Sequence, residues 1–160
     1  MKVIKEVIPY IVIVVVVVLI RTFIITPVRV DGDSMKNTLK NGDILLLYKL
    51  SNIDRLDIIV LDEEKDNEKI IKRVIGMPGE TVSIKNDKIY INGKIIDNSF
   101  AYGTTSDVDK IELGEDEYFI LGDNRLISKD SRYFGPVTKG EIIGKVVFRL
   151  FPFNKIGTVK

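Results

Sequence analysis

From Val7 to Ile20 the chain is apolar throughout, and isoleucine and valine dominate. Lys2, Lys5 and Glu6 precede this run, Arg21 follows it, and Phe23-Ile24-Ile25 extends its character. A bilayer needs about twenty apolar residues. The uninterrupted run is short of that, but Arg21 can snorkel toward the headgroups, and counting through Ile25 supplies the length. In lipid the backbone must satisfy its own hydrogen bonds, so one membrane helix is expected despite the β-branched content. A pair of buried strands is the other reading, and the run contains no turn signal that would fold it back. A cleavable export signal requires small residues just after the apolar core. Here Arg21, Thr22, Phe23 and Pro27 follow instead, so the anchor is expected to stay attached. Lys2 and Lys5 favour a cytoplasmic N-terminus, but Arg21, Arg29, Lys36 and Lys40 lie on the other side, so charge alone does not orient the helix.

The 160 residues suffice for one compact domain. With 24 basic and 23 acidic residues and a formal charge of +1, nothing points to nucleic acid as a partner. The absence of cysteine removes any disulfide framework. Beyond Pro27 the pattern is strand-like. Val28 and Val30 alternate with Arg29 and Asp31, and Ile44 to Tyr48 and Asp57 to Leu61 read as largely buried strands. The charge run from Asp62 to Lys69 reads as a hairpin tip. Thr81–Ile84, Lys88–Ile91 and Lys94–Ile96 are short strands, the last two joined by Asn92-Gly93, a strong hairpin signal. Positions 97 to 116 read as a surface loop. Tyr118–Leu121 forms another strand, and Ile142 to Leu150 a last one broken early at Gly144. No soluble helix is evident. The expected fold class is mainly β, an antiparallel, barrel-like domain over residues 27–160 on an anchor over residues 1–26.

Two short stretches carry the chemistry. In Gly32-Asp33-Ser34-Met35, turn-forming residues hold a serine hydroxyl out of regular structure; such a serine is a turn or cap residue or a nucleophile. A nucleophilic serine needs a base, and a chain without histidine or cysteine offers only carboxylates and lysines. Lys72 lies within the β-branched run Ile70-Ile71-Lys72-Arg73-Val74-Ile75. In a strand it shares a face with Ile70 and Val74, which offers the dry surroundings that favour a neutral amine. A solvent-facing lysine on a strand edge is the alternative. The third stretch, Gly122 to Pro136, gathers Asp123, Arg125, Ser128, Asp130, Ser131 and Arg132 into one loop, either as a network supporting a site or as a solvated turn with surface ion pairs.

Taken in order, these segments resemble the type I signal peptidases of the short, single-anchor kind common in Gram-positive bacteria. The resemblance runs from the anchor ending in Arg21-Thr22-Phe23 through Gly-Asp-Ser-Met and Asp57-Ile58-Ile59-Val60. It continues through Lys72 to Glu80, the Gly-Asp-Asn-Arg to Asp-Ser-Arg block, and Phe151-Pro152-Phe153-Asn154. It implies a Ser-Lys dyad endopeptidase, without cofactor or metal, that removes signal peptides from preproteins after small residues of the Ala-X-Ala type. By position, Ser34 is the implied nucleophile and Lys72 the general base. Ser128 is implied to hydrogen-bond the Lys72 amine, with Asp130 and Arg132 as the ion pair that fixes its loop. Val28, Val30, Leu39, Ile70 and Ile71 are implied to form shallow pockets for small substrate residues, the substrate adding to an edge strand. The implied setting is a single-pass monomer in contact with membrane lipid, its N-terminus cytoplasmic and its catalytic domain extracellular.

The chain departs from the family pattern at three places. Gly32 stands where some members carry a hydroxyl that helps hold the oxyanion, which leaves backbone amides, notably that of Ser34, or water. Asn37 stands where proline is usual, and Leu126-Ile127 where the residues are commonly polar. Two rivals remain at this stage. A self-cleaving Ser-Lys repressor would need an N-terminal helix-turn-helix, where this chain has an apolar anchor. A non-catalytic, membrane-tethered β domain would fit if Lys72 were solvated.

Overall fold

The computed structural model describes residues 2–63 and 68–159. A single helix, α1 (Lys2–Phe23), takes up the apolar run. Its segment Glu6–Phe23 has a mean hydropathy of 2.4 and buries nothing against the rest of the chain, as a membrane anchor requires. The helix stops at Phe23, so Ile25 belongs to the first strand and not to the span. Only Ile24 separates the two elements. Its amide still donates to Ile20 O (2.9 Å), while its carbonyl already accepts from the Lys49 amide (2.9 Å). Lys49 Nζ donates to Thr22 O at 2.8 Å, and Thr26 Oγ1 to Arg21 O at 2.7 Å. The first strand thus starts two residues after the helix ends.

The strands in chain order are β1 (Ile25–Arg29), β2 (Ile44–Tyr48), β3 (Ile58–Glu63), β4 (Glu68–Gly76), β5 (Thr81–Lys85), β6 (Lys88–Ile91), β7 (Lys94–Ile95), β8 (Val108–Glu112), β9 (Glu117–Leu121), β10 (Val137–Thr138) and β11 (Ile142–Phe151). They form a seven-stranded sheet in the order β1-β2-β11-β3-β4-β9-β10 and a four-stranded sheet in the order β7-β6-β5-β8. Every ladder between them is antiparallel. The charged tip between β3 and β4, residues 64–67, lies outside the described residues. Asn92 and Gly93 both have positive φ (50° and 76°), as the two-residue turn of the β6–β7 hairpin demands.

Period-two alternation decides which core each side chain enters. Ile58 and Val60 of β3 pack with Val30, Met35, Leu39, Leu45 and Leu47, while Ile59 and Leu61 face Val74, Ile120 and Val137. A third cluster, with Ile75, Val82, Ile84, Ile89 and Phe119, seals the two sheets together. Each such side chain contributes about 1.5–3 kcal/mol on burial, so strands with both faces covered anchor whatever they carry.

Three expectations are corrected. Gly144 does not break the last strand: β11 runs through it with a register shift between Ile142 and Gly144. A Cβ on Gly144 would come within 2.6 Å of Tyr48 O, so only glycine allows this approach to β2. Positions 97 to 116 are not all loop, because β8 pairs with β5 there. A one-turn helix, α2 (Ser131–Phe134), is present where no soluble helix was expected.

Candidate active site

The serine loop is pinned by its apolar residues. After β1, Val30 exchanges hydrogen bonds with the Asn41–Asp43 turn: its amide donates to Asp43 O (2.8 Å) and its carbonyl accepts from Gly42 (2.9 Å). Gly32, at φ 83°, then reverses the chain in a conformation that β-carbon-bearing residues rarely adopt. Met35 and Leu39 are both buried, and the Leu39 amide closes a turn on Met35 O at 2.8 Å. Ser34 stays half-buried at the crest. From the far side Asn124 clamps this loop, its backbone amide donating to Ser34 O (2.9 Å) and its Nδ2 to Asp33 O (3.1 Å).

Lys72 arrives from the middle of β4 and is only 4% exposed. Its Nζ lies 3.1 Å from Ser34 Oγ and 3.2 Å from Ile71 O. The dry face expected from Ile70 and Val74 is thus present, and a solvent-facing lysine is not what the fold produces. Beside the pair opens a cavity of about 700 Å³, bordered by Thr26 to Arg29 of β1, by Asp31, Gly32 and Ser34, and by Lys69 to Lys72 of β4. Among the described residues, both strands turn toward it an edge that no further strand covers. β1 is the outermost strand of its sheet, and β9 pairs with β4 only from Arg73 onward. Such edges carry backbone donors and acceptors without ladder partners, a template for an added strand.

Val28, Ile70 and Ile71 stand in the cavity wall. Val30 and Leu39 do not. Both are buried in the core behind it, because the chain turns inward after Arg29 and the Met35–Leu39 turn points its apolar side chains at β2 and β3.

The Gly122–Phe134 segment backs the serine loop. Ser128 is 2% exposed, and its hydroxyl has no hydrogen-bond partner among the described residues. The bond from Ser128 to the Lys72 amine that the resemblance implies is therefore not formed here. Ser128 instead stands against Gly122, where a Cβ would lie 2.1 Å from Ser128 Oγ and 2.7 Å from Ser34 O. Asp130 and Arg132 make the expected ion pair as a fork, Nε to Oδ1 at 2.8 Å and Nη2 to Oδ2 at 3.0 Å, both side chains buried. Asp130 also accepts from the Gly122 amide (2.9 Å), and Arg132 Nη2 donates to Arg125 O (3.0 Å) and Ser128 O (3.3 Å). One carboxylate thus holds the glycine, and the arginine paired with it holds the serine that packs on that glycine.

A second buried fork escaped sequence reasoning. Arg73 binds Asp123 through Nε–Oδ1 (2.8 Å) and Nη2–Oδ2 (2.7 Å), and also donates to Thr38 Oγ1 (3.1 Å) and Leu56 O (2.9 Å). It ties the strand of Lys72 to the loop of Asn124 and to the end of the serine turn. Its signal was an arginine inside an apolar, alternating run, since a buried guanidinium demands an acid partner. Arg125 donates to Gly122 O, Thr105 Oγ1 and Asn98 Oδ1 at 3.0, 2.6 and 2.6 Å. Burial pushes its guanidinium down to about 10, with Asp123 opposing that shift and Arg132 adding to it; the group remains a cation at neutral pH. Asn124 was likewise missed as the clamp on Ser34. No group of side chains that could hold a metal is present among the described residues.

Two antiparallel sheets on an apolar N-terminal helix, with a buried lysine amine against a serine hydroxyl at an open-edged cavity, define a class: anchored β-domain proteins bearing a Ser-Lys pair. A family model described as signal peptidase, peptidase S26, matches residues 3–151, and the chain belongs to that family. It is 37% identical to signal peptidase I of Streptococcus pneumoniae over 179 residues, which span 86% of this chain and 88% of the relative. It is 40% identical to that of Bacillus amyloliquefaciens over 163 residues (92% and 87%), and 39% identical to signal peptidase I S of Bacillus subtilis over 160 (89% and 86%). A crystal structure of a signal peptidase I from Enterococcus faecalis superposes with a TM-score of 0.54 at 32% identity, covering 59% of this chain and 97% of that one. The protein is thus an enzyme of the signal peptidase type, which sets aside the repressor and the non-catalytic binding domain.

Proposed function

We propose that the protein is a membrane-anchored serine endopeptidase that cuts signal peptides from preproteins after small residues, with Ser34 as nucleophile and Lys72 as general base. The observation that carries this reading is the 3.1 Å contact between Lys72 Nζ and Ser34 Oγ, made by a lysine that is almost fully buried. Desolvation disfavours an ammonium, and the distance lies within reach for proton transfer.

The substrate enters as a strand along the open edges of β1 and β4, its backbone bonded to theirs. Val28, Ile70 and Ile71 line the subsites there that take small residues such as alanine. The neutral Lys72 amine takes the Ser34 proton as Oγ attacks the scissile carbonyl. The Ser34 amide donates to the resulting oxyanion, and the proton passes from Lys72 to the departing amine. Water, activated by the same lysine, then releases the acyl chain from Ser34. Ser128, whose buried hydroxyl has no hydrogen-bond partner among the described residues, is the third group that orients the base. Asp130 and Arg132 keep it there. The N-terminus lies in the cytoplasm and the β domain, residues 27–160, outside the membrane, acting as a monomer against the lipid surface.

The test is incubation of the full-length protein in detergent micelles with a preprotein carrying an Ala-X-Ala site. Wild type is expected to cleave at that site, and Ser34→Ala and Lys72→Ala to lose cleavage. A Lys72→Ala enzyme that cut at the wild-type rate would overturn the assignment.

A further inference from the structure

Among the described residues the cavity beside Ser34 is bordered by Thr26 to Arg29, by Asp31, Gly32 and Ser34, and by Lys69 to Lys72, so a substrate filling it reaches Ser34 from one side. The chain released on cleavage must leave across another flank. On the Asn124 side of the serine loop stand three exposed side chains that the proposed mechanism does not use: Lys36, Tyr102 and Leu126. Lys36 Nζ lies over the Tyr102 ring, 5.4 Å from its centroid. Leu126 is 62% exposed yet packed in place, since a Cβ on Gly103 would come within 2.5 Å of its Cγ. Tyr102 is held by its backbone, donating to Asp123 O at 2.7 Å and accepting from the Arg125 amide at 2.9 Å. Those two residues flank Asn124, whose amide holds Ser34 O. The strip is therefore in fixed register with the nucleophile, and it carries one cation.

We infer that Lys36, poised over Tyr102, is a specificity-determining residue on the leaving-group side, favouring preproteins with an acidic residue at the first or second position after the cut. The inference rests on the Ser34 reading. A cation on a ring already has part of its charge directed by the aromatic face, so it stays near one spot and faces whatever chain passes. Asp33, the exposed acid beside Ser34, acts equally on every enzyme in the comparison below, because only position 36 is changed.

The experiment uses full-length protein in detergent micelles and two sets of synthetic peptides with an Ala-X-Ala site, followed by Glu, Gln or Lys at the first position in one set and at the second in the other. The readout is the ratio of kcat/KM between the Glu and Lys peptides within each enzyme. Wild type is expected to prefer Glu roughly threefold, the scale of an exposed charge pair, and to lose the preference at about 0.5 M salt as screening sets in. Lys36→Gln is expected to lower the ratio about threefold relative to wild type, and Lys36→Glu to lower it further. An unchanged ratio in Lys36→Glu, or a wild-type ratio indifferent to salt, overturns the inference. The two readings fail separately. Cleavage that persists in Ser34→Ala sinks the Ser34 mechanism, whereas Ser34-dependent cleavage with equal ratios sinks only the role of Lys36.

Discussion

Gly122 is where a single methyl group separates the site from the scaffold. An alanine there places its Cβ 2.1 Å from Ser128 Oγ, 2.5 Å from Ser128 Cβ and 2.7 Å from Ser34 O. None of these contacts survives unmoved. Ser128 is boxed in by the Arg132 bond to its carbonyl, and the Ser34 carbonyl is fixed by Asn124, so the strain has to displace the serine loop or the Ser128 loop. Overpacking of this kind costs about 1–3 kcal/mol, worth a fall in Tm of about 4 °C per kcal/mol for a domain of this size. Moving a reacting group by about 1 Å costs on the order of 10²-fold in rate. Gly144→Ala is the matched control. Its methyl meets Tyr48 O at 2.6 Å with comparable crowding, but in the β2–β11 ladder, and Gly144 does not border the cavity. Both variants should melt several degrees early in a detergent-compatible fluorescence assay. Only Gly122→Ala should lose about 100-fold in kcat on a preprotein. Equal activity losses in the two, or a Gly122→Ala enzyme within threefold of wild type, would refute the claim that this glycine sets the geometry of the pair.

Other outcomes follow from the same geometry. Because the base is a neutral amine, kcat/KM should rise with pH as Lys72 gives up its proton and then level off; a rate that falls over the same range would remove Lys72 as base. Asp130→Ala strips the partner from a buried guanidinium and should destabilise the domain by about 3–5 kcal/mol. Lys110→Ala, which breaks only the exposed pair with Glu112, should cost less than about 0.5 kcal/mol; denaturant titration of both variants measures the contrast. Chelators and thiol-directed reagents should leave cleavage intact, since the proposed pair needs no metal and the chain has no cysteine to modify; a proteolysis assay with and without each checks this.

Much of the site was legible because its signals were local. A serine among turn residues and a lysine in a β-branched run each constrain their own backbone, and the fold delivers both as expected. What stayed hidden depended on partners far along the chain. Val30 and Leu39 are apolar residues next to a motif, and nothing local distinguishes a cavity wall from the core behind it. Arg73 and Asp123 are 50 positions apart, and only the β4–β9 pairing brings them together. β8 was masked by Asp109 and Lys110, which interrupt its apolar residues, and by the register shift it makes against β5. Gly144 read as a strand breaker because the sequence does not reveal the neighbouring carbonyl it has to clear.

The junction at Ile24 has a mechanical consequence. With one residue between span and sheet, and Lys49 and Thr26 stitching the two, the β domain has no tether on which to swing. With the helix spanning the bilayer as proposed, a blade mounted this stiffly works at one height above it. Whatever it severs must therefore be brought to that height by the length of its own hydrophobic segment.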